Sequence, residues 1–98
     1  MASFTKGSGM NLKSVTYFLA ASAEGSFTEA AKRCGVSQPT LSIVLRRLER
    51  ELGVNLFEQN SPARLTAEGR RLRPLFEQLG LCADKLLQTA SQLRSISA

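Results

Sequence analysis

The last third of the chain contains an apolar repeat that is too long for the rest of the chain to bury. Apolar residues recur there in alternating steps of four and three, at Leu72, Phe76, Leu79, Ala83, Leu86, Ala90 and Leu93. A 3.5-residue repeat kept over three heptads is typical of a helix that packs along another helix. It predicts a helix over about 67–94, roughly 40 Å long at 1.5 Å per residue.

A helix of that length needs a covering surface, and the rest of the 98 residues can build only one modest core. We therefore expect part of the repeat to pack on a second copy of the chain. The repeat is then the predicted homodimer interface. The alternative is that the whole helix folds back onto its own domain.

The composition excludes most kinds of catalytic site. The chain has no histidine, which removes a Ser-His-Asp triad, a histidine general base and most histidine zinc sites. Its two cysteines, Cys34 and Cys82, are too far apart in sequence to form a metal-ligand pair. We expect no catalytic residue, no metal and no cofactor, and hence no enzyme.

The sequence also shows no pattern typical of a membrane span or a secretory signal. No apolar run approaches the roughly 20 residues of a membrane span, so we expect no membrane partner. Residues 1–9 are small and polar, lack the apolar core of a secretory signal, and are typical of a flexible tail, either native or left by recombinant expression. The low cysteine content fits a reducing cytoplasm.

Three shorter helices are predicted before the long one. The first runs from about residue 11 to 24, with Leu12, Val15 and Leu19 on its buried face and Phe18 beside that face, and ends at Gly25. The second begins at a capping box formed by Ser26 and Glu29. It is short, because Cys34-Gly35 is typical of a helix end.

The third helix follows after a brief turn. Ser37 is a good N-cap, Pro39 falls in the first turn, where a missing N–H is tolerated, and Gly53 ends the helix. Its apolar stripe consists of Leu41, Val44, Leu45, Leu48 and Leu52. A helix, a short turn with glycine and a second helix form the helix-turn-helix pattern.

Two short apolar runs, 54–57 and 64–66, flank a polar turn that contains Pro62. They predict a small β-hairpin over about 55–66, called the wing below. Thr66 can cap the long helix. The expected fold is mainly α, with a three-helix core, a hairpin wing and a long dimerisation helix.

The charge of +5 is concentrated in the middle of the chain. Residues 32–73 hold nine basic and four acidic side chains, whereas the flanking segments are each neutral. A local basic region suggests a polyanionic partner, nucleic acid first and a membrane surface second. The alternative is a solvated basic face without a partner.

The order and spacing of many residues resemble the DNA-binding domain of LysR-type transcriptional regulators. The positions are Gly25-Ser26-Phe27-Thr28, Ala30-Ala31, Val36-Ser37-Gln38-Pro39, Leu41-Ser42, Leu48-Glu49, Leu52-Gly53-Val54, Leu56-Phe57-Glu58, Leu65-Thr66 and Gly69. The resemblance covers about residues 10–80, and Met10 lies where members of the family usually begin. It implies a winged helix-turn-helix over 10–66, a dimerisation helix over 67–94 and a polar tail over 95–98. The family's effector-sensing domain lies outside these 98 residues, so the chain is expected to be a domain cut from a longer protein, with a natural short protein as the alternative.

The resemblance implies a sequence-specific double-stranded DNA-binding domain that regulates transcription. The third helix, about 37–52, would lie in the major groove of an inverted-repeat operator and the wing near the minor groove. RNA polymerase is a candidate further partner. A competing hypothesis is a protein-interaction module whose long helix pairs with a full-length relative and inactivates its dimers.

The resemblance implies that residues in the first two turns of this helix read bases, and four residues are candidates there. The Gln38 amide offers a donor and an acceptor that suit adenine, Pro39 is apolar, and Ser42 can bond a base or a phosphate. At Ile43 the family often has a polar or basic residue, whereas isoleucine makes only apolar contact, so the preferred sequence should differ.

Candidate phosphate ligands surround these residues. Ser37 and Thr40 suit phosphate through hydroxyl and helix-terminal N–H groups. The others are Arg46, Arg47, Arg50, Gln59 and Arg64, and one of the three helix arginines is expected to pair with Glu49 or Glu51 instead. At Gln59 the family usually has arginine, so we expect a weaker wing contact and a shallower salt dependence.

Overall fold

Four helices account for most of the chain in a computed structural model that describes residues 10–60 and 63–97. The helices are α1 (Leu12–Glu24), α2 (Phe27–Cys34), α3 (Gln38–Leu52) and α4 (Ala67–Ser97). The mainly α fold predicted from the sequence is confirmed. Residues 1–9, which the sequence assigns to a tail, lie outside the described residues.

Polar N-caps and left-handed glycines define the short helices. The Ser26 and Ser37 hydroxyls each accept a backbone N–H three residues on, and glycines with positive φ follow α1, α2 and α3. The predicted capping box at α2 forms only in part, since the Glu29 carboxylate pairs with Lys32 at 3.2 Å. A reciprocal capping box that the sequence analysis missed begins α1, between Asn11 and Ser14.

The core is centred on Phe18 of α1. This ring is fully buried and lies 4.2 Å from the Phe76 ring of α4 and 5.5 Å from the Phe57 ring, measured between centroids. Phe27 packs edge-on against Phe57. The predicted buried face of α1 is therefore wrong in detail, because Leu12 is 56% exposed while Phe18 is at the centre of the core.

The wing is smaller than the sequence predicts. Among the described residues no paired strands form over 55–66, and a single antiparallel bridge joins Phe57 to Leu65. The pairing ends on one side because α4 begins at Ala67. It ends on the other because Ala63 adopts φ 72°, a left-handed conformation that does not continue a strand. The turn residues 61–62 lie outside the described residues.

The long helix α4 has two different environments. Leu72, Phe76 and Leu79 pack against the core of their own domain. Beyond Ala83 the helix extends away from that core, and Leu86 is 66% exposed. It continues three residues past Arg94. No described helix is long and apolar enough to cross a membrane.

Candidate nucleic-acid interface

The first turn of α3 is exposed and carries an ordered set of hydroxyl groups. The Ser37 hydroxyl accepts the backbone N–H of Thr40 at 3.2 Å and donates its own hydrogen to the Thr40 hydroxyl at 2.9 Å. The Thr40 hydroxyl acts as the acceptor in this bond, so its own hydrogen can donate to an external oxygen. This turn also has the partial positive charge of a helix N-terminus.

A polar stripe runs along one side of α3. The Gln38 amide nitrogen donates to the Ser42 hydroxyl at 2.8 Å, one turn further along the helix. Both residues line a groove of about 380 Å³, together with Arg46 of α3 and Gln59 of the wing. The structure thus brings together four of the residues that the sequence selects from two separate elements.

The neighbouring side of α3 presents apolar and cationic groups. Pro39 and Ile43 are both exposed and lie one helical turn apart, and Arg47 follows after a further turn. Arg64, in the second arm of the wing, is also exposed, and its backbone carbonyl accepts the Glu58 N–H at 2.7 Å.

The arginines of α3 differ from several other cationic side chains in their ion pairing. Ion pairs within the described residues join Lys32 to Glu29, Arg33 to Glu24 and Arg73 to Glu77. Among the described residues, none of the three α3 arginines forms an ion pair. Arg46 and Arg50 instead line an open groove beside the start of α4.

Glu49 has a structural role that the sequence pattern does not predict. One of its carboxylate oxygens accepts the backbone N–H groups of Leu56, at 2.7 Å, and Phe57, at 3.1 Å. Its carboxylate is therefore used by the first arm of the wing and not by an arginine of α3. The only signal of this role in the sequence is the position of Glu49 near the end of α3. A carboxylate at that position is close to the segment that follows the helix.

The predicted interface residues of α4 do not share one environment. Phe76 is buried in its own domain, and Leu72, Leu79 and Ala83 are half-buried. Leu86, Ala90 and Leu93 lie on an exposed surface that also contains Cys82, Lys85 and Thr89. Leu75 and Ile96, which the repeat does not include, are exposed as well.

The two cysteines differ in exposure. Cys34 is half-buried at the end of α2, and burial raises the pKa of its thiol, with a smaller opposing effect from Arg33. Burial therefore favours the protonated thiol over the thiolate, which is the nucleophilic form. Cys82 is exposed.

Residues 12–70 match the family model of the bacterial regulatory helix-turn-helix proteins of the lysR family. The chain belongs to this family. The matched segment begins with α1 and ends in the first turn of α4, so it contains the helix-turn-helix and both arms of the wing.

Relatives within the LysR family support this membership. The transcriptional regulator BenM of Acinetobacter baylyi is 38% identical over 89 residues, which are 90% of this chain and 27% of that regulator. The crystal structure of the BenM DNA-binding domain in complex with catB site 1 DNA superposes with a TM-score of 0.82 at 32% identity, covering 91% of this chain and 97% of that one. The structure of the CbnR DNA-binding domain with DNA gives a TM-score of 0.74 at 28% identity, covering 91% and 100%. The chain thus spans about a quarter of its curated relative BenM.

Proposed function

We propose that this LysR-family chain is a sequence-specific DNA-binding domain that acts as a homodimer in the cytoplasm and regulates transcription. The observation that carries the proposal is the exposed first half of α3, a helix whose opposite face is buried. Its exposed side combines hydrogen-bonding side chains with arginines that form no ion pair among the described residues. Similarity to two DNA-binding domains solved with DNA supports it.

Base reading is proposed for the stripe that begins at Gln38. The amide nitrogen of Gln38 has a second hydrogen besides the one donated to Ser42, and its carbonyl oxygen is an acceptor. These two groups match the N7 acceptor and N6 donor of adenine. The bond from Gln38 uses a lone pair of the Ser42 hydroxyl, so Ser42 can still donate to a base or phosphate.

Phosphate contacts are proposed on both sides of that stripe. Thr40 and the start of α3 offer donors at one end, while Arg46, Arg47 and Arg50 supply charge along the helix. At the wing, Gln59 offers a hydrogen bond without charge, and Arg64 is the basic residue. Each phosphate contact adds roughly 0.9 to the slope of log K against log salt, so this wing contributes little to the slope.

The homodimer is supported by the exposed apolar surface of α4 beyond Ala83. A homodimer that buries this surface is expected to have two-fold symmetry, so a duplex that binds both copies of α3 is expected to contain an inverted repeat. The same surface also suits the competing hypothesis, in which α4 pairs with a longer relative. RNA polymerase stays a predicted further partner.

The proposal is tested by selecting binding sequences from a random duplex pool with the purified chain at two salt concentrations. We expect enrichment of a two-fold inverted repeat, with affinity falling as salt rises. Binding without any consensus would contradict sequence-specific reading by this domain. Absence of binding by a chain that is dimeric in solution would favour the protein-interaction hypothesis.

A further inference from the structure

The recognition surface of α3 contains an apolar side chain that no packing requirement explains. Ile43 is 58% exposed. Elsewhere among the described residues, large exposed apolar side chains occur on α1 and α4 and not on α3. Ile43 lies two residues from Leu41 and two from Leu45, both buried, and therefore about 160° round the helix from each. It points away from the core.

A single exposed apolar residue is common on a protein surface and has no significance alone. Here, however, Ile43 follows the hydrogen-bonded pair Gln38–Ser42 and lies one turn beyond the exposed Pro39. Pro39 and Ile43 form a short apolar strip beside a polar one, within the first two turns of α3. In the proposed complex these turns lie against the base edges of the major groove.

The major groove presents one apolar group to such a strip, which is the C5-methyl group of thymine. An isoleucine there has no donor or acceptor with which to satisfy a polar base edge. Placing it against guanine or cytosine would desolvate their polar groups without replacing the hydrogen bonds to water. The contact therefore favours thymine and disfavours a G·C pair.

We propose that Ile43 is a specificity-determining residue that reads a thymine methyl group in each half-site. This inference rests on the proposed DNA-binding function and adds the base that the apolar strip selects. Ile43 lies five residues after Gln38, about 7.5 Å along the helix axis, so the thymine is expected at a different base pair from the adenine that Gln38 reads.

The test replaces thymine with deoxyuridine, one position at a time, in the preferred duplex obtained by selection. This change removes only the methyl group. For the unaltered chain we expect about a fourfold loss of affinity at one thymine of each half-site, which corresponds to about 0.8 kcal/mol for one buried methyl group. The variant Ile43→Ala should bind the thymine duplex more weakly and show no further loss at that position.

The control variant is Ile43→Val, which keeps a β-branched apolar side chain and should keep the sensitivity to the methyl group. Folding of both variants is checked by circular dichroism, and Ile43→Ala should fold because alanine favours an exposed helix position.

The assignment of Ile43 is overturned if deoxyuridine lowers the affinity of Ile43→Ala and of the unaltered chain equally. It is also overturned if deoxyuridine lowers the affinity of the unaltered chain at no thymine. The affinity of the unaltered chain for the selected thymine duplex and for random DNA is a separate readout. Equal affinity for the two would overturn the proposed function as well.

Discussion

At the scale of single residues, Gln38 and Glu49 are both polar groups on α3 with opposite tasks. Gln38 is exposed, and its amide is oriented by a 2.8 Å bond to Ser42. Glu49 is half-buried and points back toward the wing. The first is available to an external partner, whereas the second is used within the protein.

Substitution Gln38→Ala should remove base reading without loss of general affinity for DNA. We expect a loss of about 1–3 kcal/mol on the selected site and little change on random DNA, because the alanine retains neither amide group. Fluorescence anisotropy on both duplexes measures this. An equal loss on both duplexes would reject base reading by Gln38.

The matched control for Gln38 is Arg50→Ala, since Arg50 is an exposed cation on the same helix. Loss of a phosphate contact should weaken both duplexes alike and reduce the salt slope by about 0.9. A change confined to the selected site would assign Arg50 to bases instead.

Substitution Glu49→Ala should destabilise the domain by about 2 kcal/mol. Hydrogen bonds to charged groups contribute about 1.5–3 kcal/mol, and this change leaves the N–H groups of Leu56 and Phe57 without their acceptor. Urea unfolding followed by circular dichroism measures the change. The control is Glu58→Ala, an exposed carboxylate in the wing; a similar loss in both variants would contradict the role of Glu49.

The sequence could predict Gln38 but not the role of Glu49, for a physical reason. A base-reading residue must be exposed near the start of a recognition helix. The resemblance to the LysR family indicates that α3 is that helix, and caps and periodicity predict where it begins. The bonds from Leu56 and Phe57 to Glu49 span seven and eight residues, so they depend on how the chain turns after α3.

At the scale of elements, the wing is held against α4 by a close backbone approach. Gly69, in the first turn of α4, is buried, and a Cβ atom built on it would lie within van der Waals overlap of the Leu56 carbonyl oxygen. Thr66 helps to hold this junction, since its hydroxyl accepts the Gly69 N–H at 2.9 Å and donates to the Asn55 carbonyl. The junction therefore requires a glycine at this position.

Substitution Gly69→Ala should destabilise the domain by about 1–3 kcal/mol, the usual cost of overpacking, because the clash is with backbone and not with a flexible side chain. Gly80→Ala is the matched control in the same helix. Its Cβ would meet the end of the Leu19 side chain at 3.1 Å, which can shift. Alanine favours helix by about 1 kcal/mol over glycine, so Gly80→Ala should be nearly neutral or stabilising.

Thermal unfolding of the two glycine variants provides the comparison. A melting temperature for Gly69→Ala equal to that of the unaltered chain would mean that the wing can move away from α4 at little cost. That result would contradict the proposed need for close contact at this junction.

At the scale of the whole molecule, the two halves of α4 have different surroundings. Its first half completes the core through Phe76, which packs on Phe18. Its second half exposes leucines that the domain does not cover. The 3.5-residue repeat runs through both halves without a break, because a core position and a dimer position require the same kind of side chain.

Substitution Leu86→Asp should weaken the proposed homodimer without unfolding the domain. Leu86 is 66% exposed, so the isolated domain tolerates the charge, whereas a dimer would have to bury it. We expect the dissociation constant to rise about tenfold or more in sedimentation equilibrium, corresponding to at least about 1.4 kcal/mol.

The control for the dimer is Leu81→Asp. Leu81 is 70% exposed and lies about 140° round α4 from Leu86, so its substitution should leave dimerisation unchanged. A Leu86→Asp variant with unaltered mass would contradict the interface. Leu79 is less suitable for this test, because it packs against its own core and an aspartate there would also destabilise the fold.

The sequence by itself determined the helices and the order of the helix-turn-helix, because caps, glycine ends and apolar periods act within a few residues. The candidate residues of α3 came from those bounds together with the resemblance to the LysR family. Only the tertiary structure decided that Phe18 and not Leu12 enters the core, and that the wing is a single bridge. It also decided which half of the α4 repeat stays exposed. These features depend on contacts between residues far apart in the chain. A local pattern contains no information about which other surface packs against a given side chain.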